Sequence, residues 1–141
     1  SIALGFLTPL FRKTFLDVSL NSSAQDIVSL MRYGRERAIA ENTVFRFNLN
    51  TENGSYWLTS KEPDKPEGDI FTRLTGNLGR LNNIAEGLKI EAEMNTIDFY
   101  PDGEAESFRI KLTNPNNKGL IITSKPGSGS NIAVMGENEK E

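Results

Sequence analysis

An apolar stripe with helical spacing constrains the fold of this chain more than any other feature of its sequence. Its members recur every three or four residues, so they share one face of an α-helix. We predict one helix from Phe11 to Asn42, with Leu30 and Ile39 widening the stripe. Because burying apolar surface contributes about 25 cal/mol per Å², this face requires a second layer of structure to cover it. The stripe residues are Leu16, Leu20, Ala24, Ile27, Met31, Gly34 and Ala38.

The opposite side of the predicted helix is rich in charge. Arginines and glutamates are spaced there to pair across one helical turn, as in Arg32/Glu36 and Arg37/Glu41. A group of arginines also offers positive charge to a phosphate or to DNA, but acidic neighbours balance that charge, which favours a solvated face. The arginines in question are Arg32, Arg35, Arg37 and Arg46.

An apolar segment, Ile2–Phe11, leads into this helix without a break. At about 1.5 Å per residue it would reach about 15 Å, roughly half of a bilayer core. Because the numbered chain begins with Ser1, we expect the segment to be the second half of a membrane helix. The alternative is a hydrophobic tail that folds onto the domain. Pro9 is expected to bend or loosen the helix, unless the helix simply begins near Leu10.

Beyond Asn42 the apolar period changes to two, which is the period of a β-strand. Turn residues separate the apolar segments, as in Asn53-Gly54 and in Pro101-Asp102-Gly103, where proline fixes φ and glycine supplies a positive φ. The segment Ile70–Ile84 shows no clean period beyond a short strand at Ile70–Leu74. The other predicted strands are Val44–Leu49, Ser55–Ser60, Leu88–Glu93, Thr96–Tyr100, Phe108–Thr113, Gly119–Ser124 and Ile132–Met135.

The order of these elements predicts an α+β fold. One long N-terminal helix is followed by about seven strands, and this segregation indicates a helix packed on antiparallel β-sheet. With 141 residues, of which 37% are hydrophobic, the chain has enough material for one such domain. We divide it into residues 1–11, the remainder of a membrane or filament helix; 12–42, its amphipathic continuation; 43–136, an antiparallel β head; and 137–141, a flexible tail.

Two residue types that support much of enzyme chemistry are missing from the composition. The chain has no cysteine and no histidine, so it lacks a thiolate nucleophile, an imidazole base and any nitrogen or sulfur metal ligand. We therefore expect neither enzyme activity nor a cofactor. Its net charge of −3 also lacks the basic excess that usually accompanies nucleic-acid binding.

Two motifs in order resemble a known family. The run Leu30–Ala40 (LMRYGRERAIA) resembles the "LLRxARxxAI" helix of the minor pseudopilins of type II secretion systems and of the related minor pilins of type IV pili. Further on, Ile97–Gly103 (IDFYPDG) resembles the "IxFxPDG" element of that group, and Glu86–Ile90 is similar to its strand entry. Gly34 stands where the family usually has alanine. The resemblance covers nearly the whole chain, and the two motifs together are far more specific than either one.

The resemblance implies a structural subunit with a pilin-like fold and no catalytic role. A cleaved leader and a glutamate near the mature N-terminus are implied upstream of Ser1, with the N-terminal helix in the inner membrane and the head in the periplasm. The implied partners are other pilin or pseudopilin subunits in a pseudopilus or pilus, with a secreted substrate as a further candidate. The residues expected to pack first in lipid and then in the filament are Ile2, Leu4, Phe6, Leu7, Pro9, Leu10 and Phe11.

One alternative within the same group is a minor pilin that binds DNA during uptake through arginines in its last strands. Here the corresponding region, Lys125–Glu141, carries acidic residues and only two lysines, so its charge for neutralising phosphates is weak. We expect DNA binding to be the weaker assignment.

Three other sites have simpler explanations. Asp98, Asp102 and Glu104 offer oxygen ligands to calcium, but the sequence lacks EF-hand spacing and a plain turn explains Asp102. Alternating aromatic residues suggest a binding platform, although strand aromatics usually belong to a core. The Gly127–Gly129 segment lacks the lysine and helix of a phosphate loop. The aromatic residues are Tyr56, Trp57, Phe99 and Tyr100.

Overall fold

The structure is a computed structural model that describes residues 2–61, 71–73, 80–124 and 132–136. Side chains are described for residues 15–61, 80–124 and 132–136. Most of the predicted loop at 61–69, the turn at 126–130 with its Gly127–Gly129 segment, and the predicted tail at 137–141 lie outside the described residues.

A single helix, α1, spans Ile2–Glu41. Its backbone is helical through Pro9, so the alternative of a helix that begins near Leu10 is wrong. Asn42, the residue after the helix, has a left-handed φ of 52°, and the Thr43 N–H donates to the Ala38 carbonyl at 3.2 Å. This bond satisfies a carbonyl of the last helical turn and ends the helix where the sequence pattern changes.

The described residues contain nine strands, and every pairing between them is antiparallel. They form two sheets. Sheet A has the order β3-β2-β1-β6, with β4 also paired to β2, and sheet B has the order β5-β7-β8-β9. The strands are β1 Phe45–Asn50, β2 Ser55–Lys61, β3 Phe71–Arg73, β4 Asn82–Asn83, β5 Lys89–Ala92, β6 Thr96–Phe99, β7 Arg109–Thr113, β8 Gly119–Ser124 and β9 Ile132–Gly136.

The predicted α+β architecture, a long N-terminal helix on antiparallel sheet, is confirmed. β3 lies inside the short strand predicted at Ile70–Leu74, so among the described strands β4 is the one that the sequence did not predict. β4 consists of Asn82 and Asn83 only, and two polar residues leave no alternating pattern to detect.

One face of α1 packs against both sheets, and the hydrophobic core lies between them. Ala24, Ile27, Met31 and Ala38 are fully buried, Leu20 and Gly34 are buried as well, and Leu16 is half-buried. Val28, which was not assigned to the stripe, is also buried. Burying one such aliphatic side chain contributes about 1.5–3 kcal/mol, so this face supplies much of the stability of the contact.

Leu30 and Ile39 were both expected to widen the stripe. Leu30 is half-buried and packs against the core, whereas Ile39 is 46% exposed. The prediction for Ile39 is therefore wrong. Its position follows Ala38 by one residue, which turns the side chain about 100° from the buried line, toward the helix flank.

At Gly34 the helix backbone lies close to sheet A. A Cβ added to this residue would lie 3.0 Å from Leu58 Cδ2 and 3.7 Å from Phe99 Cδ2. The missing side chain therefore allows two fully buried strand residues to rest directly on the helix backbone.

Candidate functional site

The Pro101-Asp102-Gly103 turn contacts the C-terminal part of α1. The Gly103 N–H donates to the Tyr100 carbonyl at 2.9 Å, and Gly103 has a φ of 90°, which favours glycine. Pro101 is half-buried, Asp102 is exposed and Gly103 is buried. The Arg35 Nε donates to the Gly103 carbonyl at 3.2 Å, so the turn is bound to the helix.

A second junction lies near the middle of the helix. Ser23 is 6% exposed, and its hydroxyl oxygen accepts the backbone N–H of Ala85 at 3.1 Å. The neighbouring Ile84 donates its N–H to the Gly54 carbonyl at 2.9 Å, which ties the same segment to the β1–β2 loop. This junction connects the helix to the segment between β4 and β5.

The third junction holds the β7–β8 turn against the helix. The Asn114 Nδ2 donates to Asp17 Oδ1 at 2.8 Å, while Asn114 Oδ1 accepts the N–H groups of Asn116 and Lys118, both at 3.0 Å. Lys118 Nζ also lies 3.6 Å from Asp17 Oδ2. Asn114 is 3% exposed, so one buried amide both shapes the turn and attaches it to the helix.

The environment of Asp17 favours its charged form. Hydrogen bonds from Asn114 and Asn116 lower the pKa of Asp17, and Lys118 adds a smaller attraction. The hydrogen bonds of this third junction are therefore stronger to the ionised Asp17 carboxylate than to the neutral acid.

The three junctions lie along one stretch of helix. From Asp17 to Arg35 the helix extends about 27 Å at about 1.5 Å per residue. Hydrogen bonds near its start, middle and end, together with the buried stripe, fix its position relative to the strand-bearing residues 43–136, here called the head. The side of the helix that faces away from the head is left exposed.

Two large apolar residues lie on that exposed side. Phe15 is 60% exposed and Val18 is 54% exposed, and their spacing of three residues places them next to each other. We call this pair the outer patch. Arg12, Lys13 and Thr14 separate it from the apolar segment Ile2–Phe11, and it faces away from the stripe that begins at Leu16 and Leu20.

The residues expected to pack in lipid or in a filament all lie on the helical backbone that precedes the outer patch. Their side chains lie outside the described residues. Within the part of the chain that the structure describes, no helix has a stretch long and apolar enough to cross a membrane. These residues are Ile2, Leu4, Phe6, Leu7, Pro9, Leu10 and Phe11.

The arginines do not form one common surface. Arg46 binds Asp98 with two hydrogen bonds of 2.7 and 3.1 Å across the β1–β6 pair, and Arg35 binds the Gly103 carbonyl. Arg37 pairs with Glu41, a hydrogen bond that raises the pKa of Arg37. Three of the four arginines are thus engaged inside the chain. Arg35 is half-buried, so its assignment to the solvated face is wrong.

The acidic residues considered for calcium point to other partners. Asp98 binds Arg46, and Asp102 Oδ1 accepts the backbone N–H of Glu104 at 2.9 Å. Among the described residues there is no group of three or more acidic side chains arranged to hold a metal ion. The turn explains Asp102 without a ligand.

The four aromatic residues do not form a binding platform. Phe99 is fully buried and Tyr56 is 3% exposed, whereas Trp57 is half-buried and Tyr100 is exposed. Tyr56 stacks on Phe47 with ring centroids 5.7 Å apart, and burial raises the pKa of Tyr56 to about 12. The buried pair belongs to the core, as strand aromatics usually do.

Sequence reasoning missed the polar junctions at Asp17 and Ser23. Their partners, Asn114 and Ala85, are 97 and 62 residues away along the chain. The only available signal was a polar residue on the flank of an otherwise apolar face, and such residues are common on helices.

Comparison with protein families gives a match over most of the chain. Residues 23–127 match the family described as Type II transport protein GspH. The match includes both motifs, Leu30–Ala40 and Ile97–Gly103. No curated protein sequence matches the chain significantly.

Several solved structures share the fold. A crystal structure of the minor pseudopilin EpsH from the type II secretion system of Vibrio cholerae is similar with a TM-score of 0.69 and 12% identity, covering 90% of this chain and 99% of that chain. A second EpsH structure gives 0.65 and 13%, with 84% and 96% covered. The type IV minor pilin FimU of Pseudomonas aeruginosa gives 0.60 and 10%, with 82% and 87% covered. At these identities the likeness concerns the fold.

Proposed function

The chain belongs to the GspH family of type II transport proteins and is a pilin-like subunit of a secretion or pilus system; we propose that it is a minor subunit of a periplasmic pseudopilus, held in the inner membrane before assembly. In this role the apolar segment Ile2–Phe11, here called the stem, contacts lipid first and other subunits afterwards, while the head recognises neighbouring subunits. The proposed role is packing and recognition, and it requires no catalytic group.

The observation that carries this proposal is the continuity of α1. One helix of 40 residues includes both the apolar Ile2–Phe11 segment and the stripe that packs under the sheets. Because three junctions attach the helix to the head, a force applied to the stem is transmitted to the head. A subunit that is drawn out of a membrane and inserted into a filament needs this rigid connection.

The proposed division of the chain follows the same logic. Residues 1–11 form the remainder of the stem, 12–42 its continuation under the sheets, 43–136 the head and 137–141 a tail. The outer patch, Phe15 and Val18, extends the apolar surface of the stem toward the head. We assign these two residues, with Ile2–Phe11, to contacts with the stems of other subunits.

DNA uptake is the weaker function for this chain. Arg35, Arg37 and Arg46 are engaged with partners inside the chain, and the net charge is −3. A protein that neutralises several phosphates binds DNA with a steep dependence on salt. A tight, salt-dependent gel shift at physiological salt would reverse this preference.

Cysteine cross-linking in cells tests the proposed function, because the chain contains no native cysteine. Phe15→Cys and Val18→Cys are expressed from the natural gene and oxidised in the envelope, and cross-links to other pseudopilin subunits are expected. Lys89→Cys is the matched control, since its side chain is 73% exposed but lies on the head. Recovery of the natural-gene product wholly in the soluble fraction, without such cross-links, would contradict the proposal.

A further inference from the structure

Exposed apolar side chains lie at the end of α1 that is opposite the stem. Ile39 is 46% exposed and Tyr100 is 37% exposed. Both lie beside the Pro101-Asp102-Gly103 turn, because a Cβ added to Gly103 would be 3.5 Å from Ile39 Cδ1 and the Gly103 N–H donates to the Tyr100 carbonyl at 2.9 Å. Pro101 is half-buried. We call Ile39, Tyr100 and Pro101 the tip patch.

The chain around the tip patch is fully described. Side chains are described without interruption over residues 15–61 and 80–124, which include every neighbour of the patch along the chain. The exposed fractions of Ile39 and Tyr100 are measured with these neighbours in place. Single exposed apolar residues are normal on a protein surface, but here two large ones flank the same turn.

Hydrogen bonds hold the tip patch in a fixed arrangement. The Tyr100 N–H donates to the Glu104 carbonyl at 2.8 Å, and the Glu104 N–H donates to Asp102 Oδ1 at 2.9 Å. The Arg35 Nε donates to the Gly103 carbonyl at 3.2 Å and attaches the turn to α1. A surface that is already ordered loses little conformational entropy when it binds a partner.

The tip patch lies in an acidic surrounding. The run 98–106 (DFYPDGEAE) has four acidic residues and no basic one. Asp98 is paired with Arg46, whereas the three acidic residues that follow Tyr100 are exposed. Burial, followed by the carboxylates of Glu106 and Asp98, raises the pKa of Tyr100, so negative charge acts on this side chain. Because complementary charge favours association, a partner at this surface should carry positive charge.

The side chains of the tip patch specify the chemistry of such a partner further. The face of a tyrosine ring attracts an arginine or lysine cation, and the neighbouring carboxylates strengthen this attraction. Ile39 and Pro101 instead offer apolar surface to an aliphatic or aromatic side chain. Tyrosine and arginine are also enriched among the residues that contribute most to the affinity of protein interfaces.

The tip patch is remote from the contacts assigned to the stem. From Ile2 to Ile39 the helix extends about 55 Å at about 1.5 Å per residue. A neighbouring subunit that contacts only the stem therefore does not cover the tip patch. The patch offers a second contact, directed away from the stem.

We propose that the tip patch binds another subunit of the assembly through a segment that carries arginine or lysine next to an apolar side chain. The cation lies over the Tyr100 ring, among the acidic residues, and the apolar side chain contacts Ile39 and Pro101. This inference rests on the proposed function, because it assigns the partner to a neighbouring subunit.

Photo-cross-linking in cells tests the location of this contact. The photoreactive amino acid p-benzoylphenylalanine replaces Tyr100 in the product of the natural gene, and a second variant carries it in place of Ile39. Cross-links from both positions to another pilin or pseudopilin subunit are expected, and mass spectrometry should place them in a segment with arginine or lysine. Replacement of Lys89, 73% exposed elsewhere on the head, is the control and should give at least about tenfold less product.

A charge reversal tests the chemistry of the contact. Glu104→Lys changes an exposed side chain while the backbone bonds of Glu104 within the turn remain, and it is expected to lower the cross-link yield from position 100 at least about tenfold. Glu104→Gln, which only removes the charge, should give a smaller loss. Glu52→Lys is the matched control, because Glu52 is exposed in the β1–β2 loop and undergoes the same change of charge. Its yield should equal that of wild type.

Several results would overturn the proposal. These are equal yields from the tip patch and from Lys89, a cross-linked segment without a basic residue, and a yield that is unchanged by both Glu104 variants. A cross-link to a second copy of this chain, or to a secreted protein, would overturn the assignment to a different subunit.

One result separates this inference from the function on which it rests. Absence of cross-links from positions 39 and 100, together with intact Phe15→Cys cross-links to other subunits, would overturn the tip contact and leave the proposed function in place. Loss of both kinds of cross-link would contradict both proposals.

Discussion

The two sides of α1 differ in whether their apolar residues are covered by the rest of the chain. Between Leu20 and Ala38 the stripe is buried under sheets of the same chain, while Phe15 and Val18 expose more than half of their surface. Both regions belong to one helix and both carry large aliphatic or aromatic residues. The difference shows that composition does not decide whether a helical face is covered from within the chain. The side of the helix decides it, because Phe15 and Val18 lie on the side that faces away from the head, whereas the stripe faces the head.

The strongest test of this contrast pairs a buried residue with an exposed one. Ile27→Ala is expected to lower the free energy of unfolding by about 2–5 kcal/mol, because it leaves a cavity under both sheets. Phe15→Ala removes a larger side chain but is expected to change that free energy by less than about 0.5 kcal/mol. Urea denaturation measures both. Comparable losses would mean that Phe15 packs on its own head.

A smaller effect is expected at Gly34, where the helix backbone lies close to sheet A. Gly34→Leu places a large side chain against Leu58 and Phe99, and such overpacking typically costs about 1–3 kcal/mol. Thermal unfolding of this variant should show a lower midpoint than wild type. Ser29→Leu is the matched control, because Ser29 is exposed on the same helix. A midpoint for Gly34→Leu equal to that of the control would mean that the helix does not rest on Leu58.

The next prediction concerns the Pro101-Asp102-Gly103 turn, which contacts the C-terminal part of α1. Gly103→Ala is expected to destabilise the protein by about 1–2 kcal/mol, because its φ of 90° is strained for a residue with a Cβ. The added Cβ has room, since the nearest Ile39 atom lies 3.5 Å away, so strain and not collision accounts for the effect. Chemical denaturation, with Gly136→Ala in β9 as a control outside the left-handed region, gives the comparison. An unchanged unfolding free energy would mean that the turn does not require a glycine at position 103.

The smallest expected effect is a pH dependence at Asp17. Hydrogen bonds from Asn114 and Asn116 lower the pKa of Asp17, so its contribution to stability is complete above its ordinary pKa of 3.8. That contribution is lost as the pH falls through the lowered pKa of the folded state. Asp17→Asn removes the titration, so the difference in stability between wild type and variant should shrink on acidification. A difference that stays constant from neutral pH to pH values below the ordinary pKa would contradict the assigned junction.

Much of the fold could be predicted from the sequence. The change of apolar period at Asn42 marks the end of the helix within one residue, and Asn42 adopts the left-handed conformation that such an end favours. The strands in the last third of the chain, such as β7 and β8, could also be predicted. Along β7, buried positions alternate with more exposed ones. Short strands without alternation, such as β4, were not readable.

Only part of the candidate site could be predicted from the sequence. The stripe and the Pro101-Asp102-Gly103 turn follow from local patterns, but nothing local indicates that Arg35 binds the Gly103 carbonyl, 68 residues away. Arg35 looked like a solvated residue because its sequence neighbours are charged. Its actual partner is a backbone group of the head.

The sequence by itself determined the helix and most of the strands, together with the face that the helix and strands such as β1 bury. Helical and strand periods arise from the geometry of the backbone over a few residues, so they leave a visible pattern in α1 and in strands such as β1. The tertiary structure decided the division of the strands into two sheets and the attachment of Asp17, Ser23 and Arg35 to the head. These features depend on how distant segments are placed in space, and contacts between distant segments leave no periodic trace in the chain.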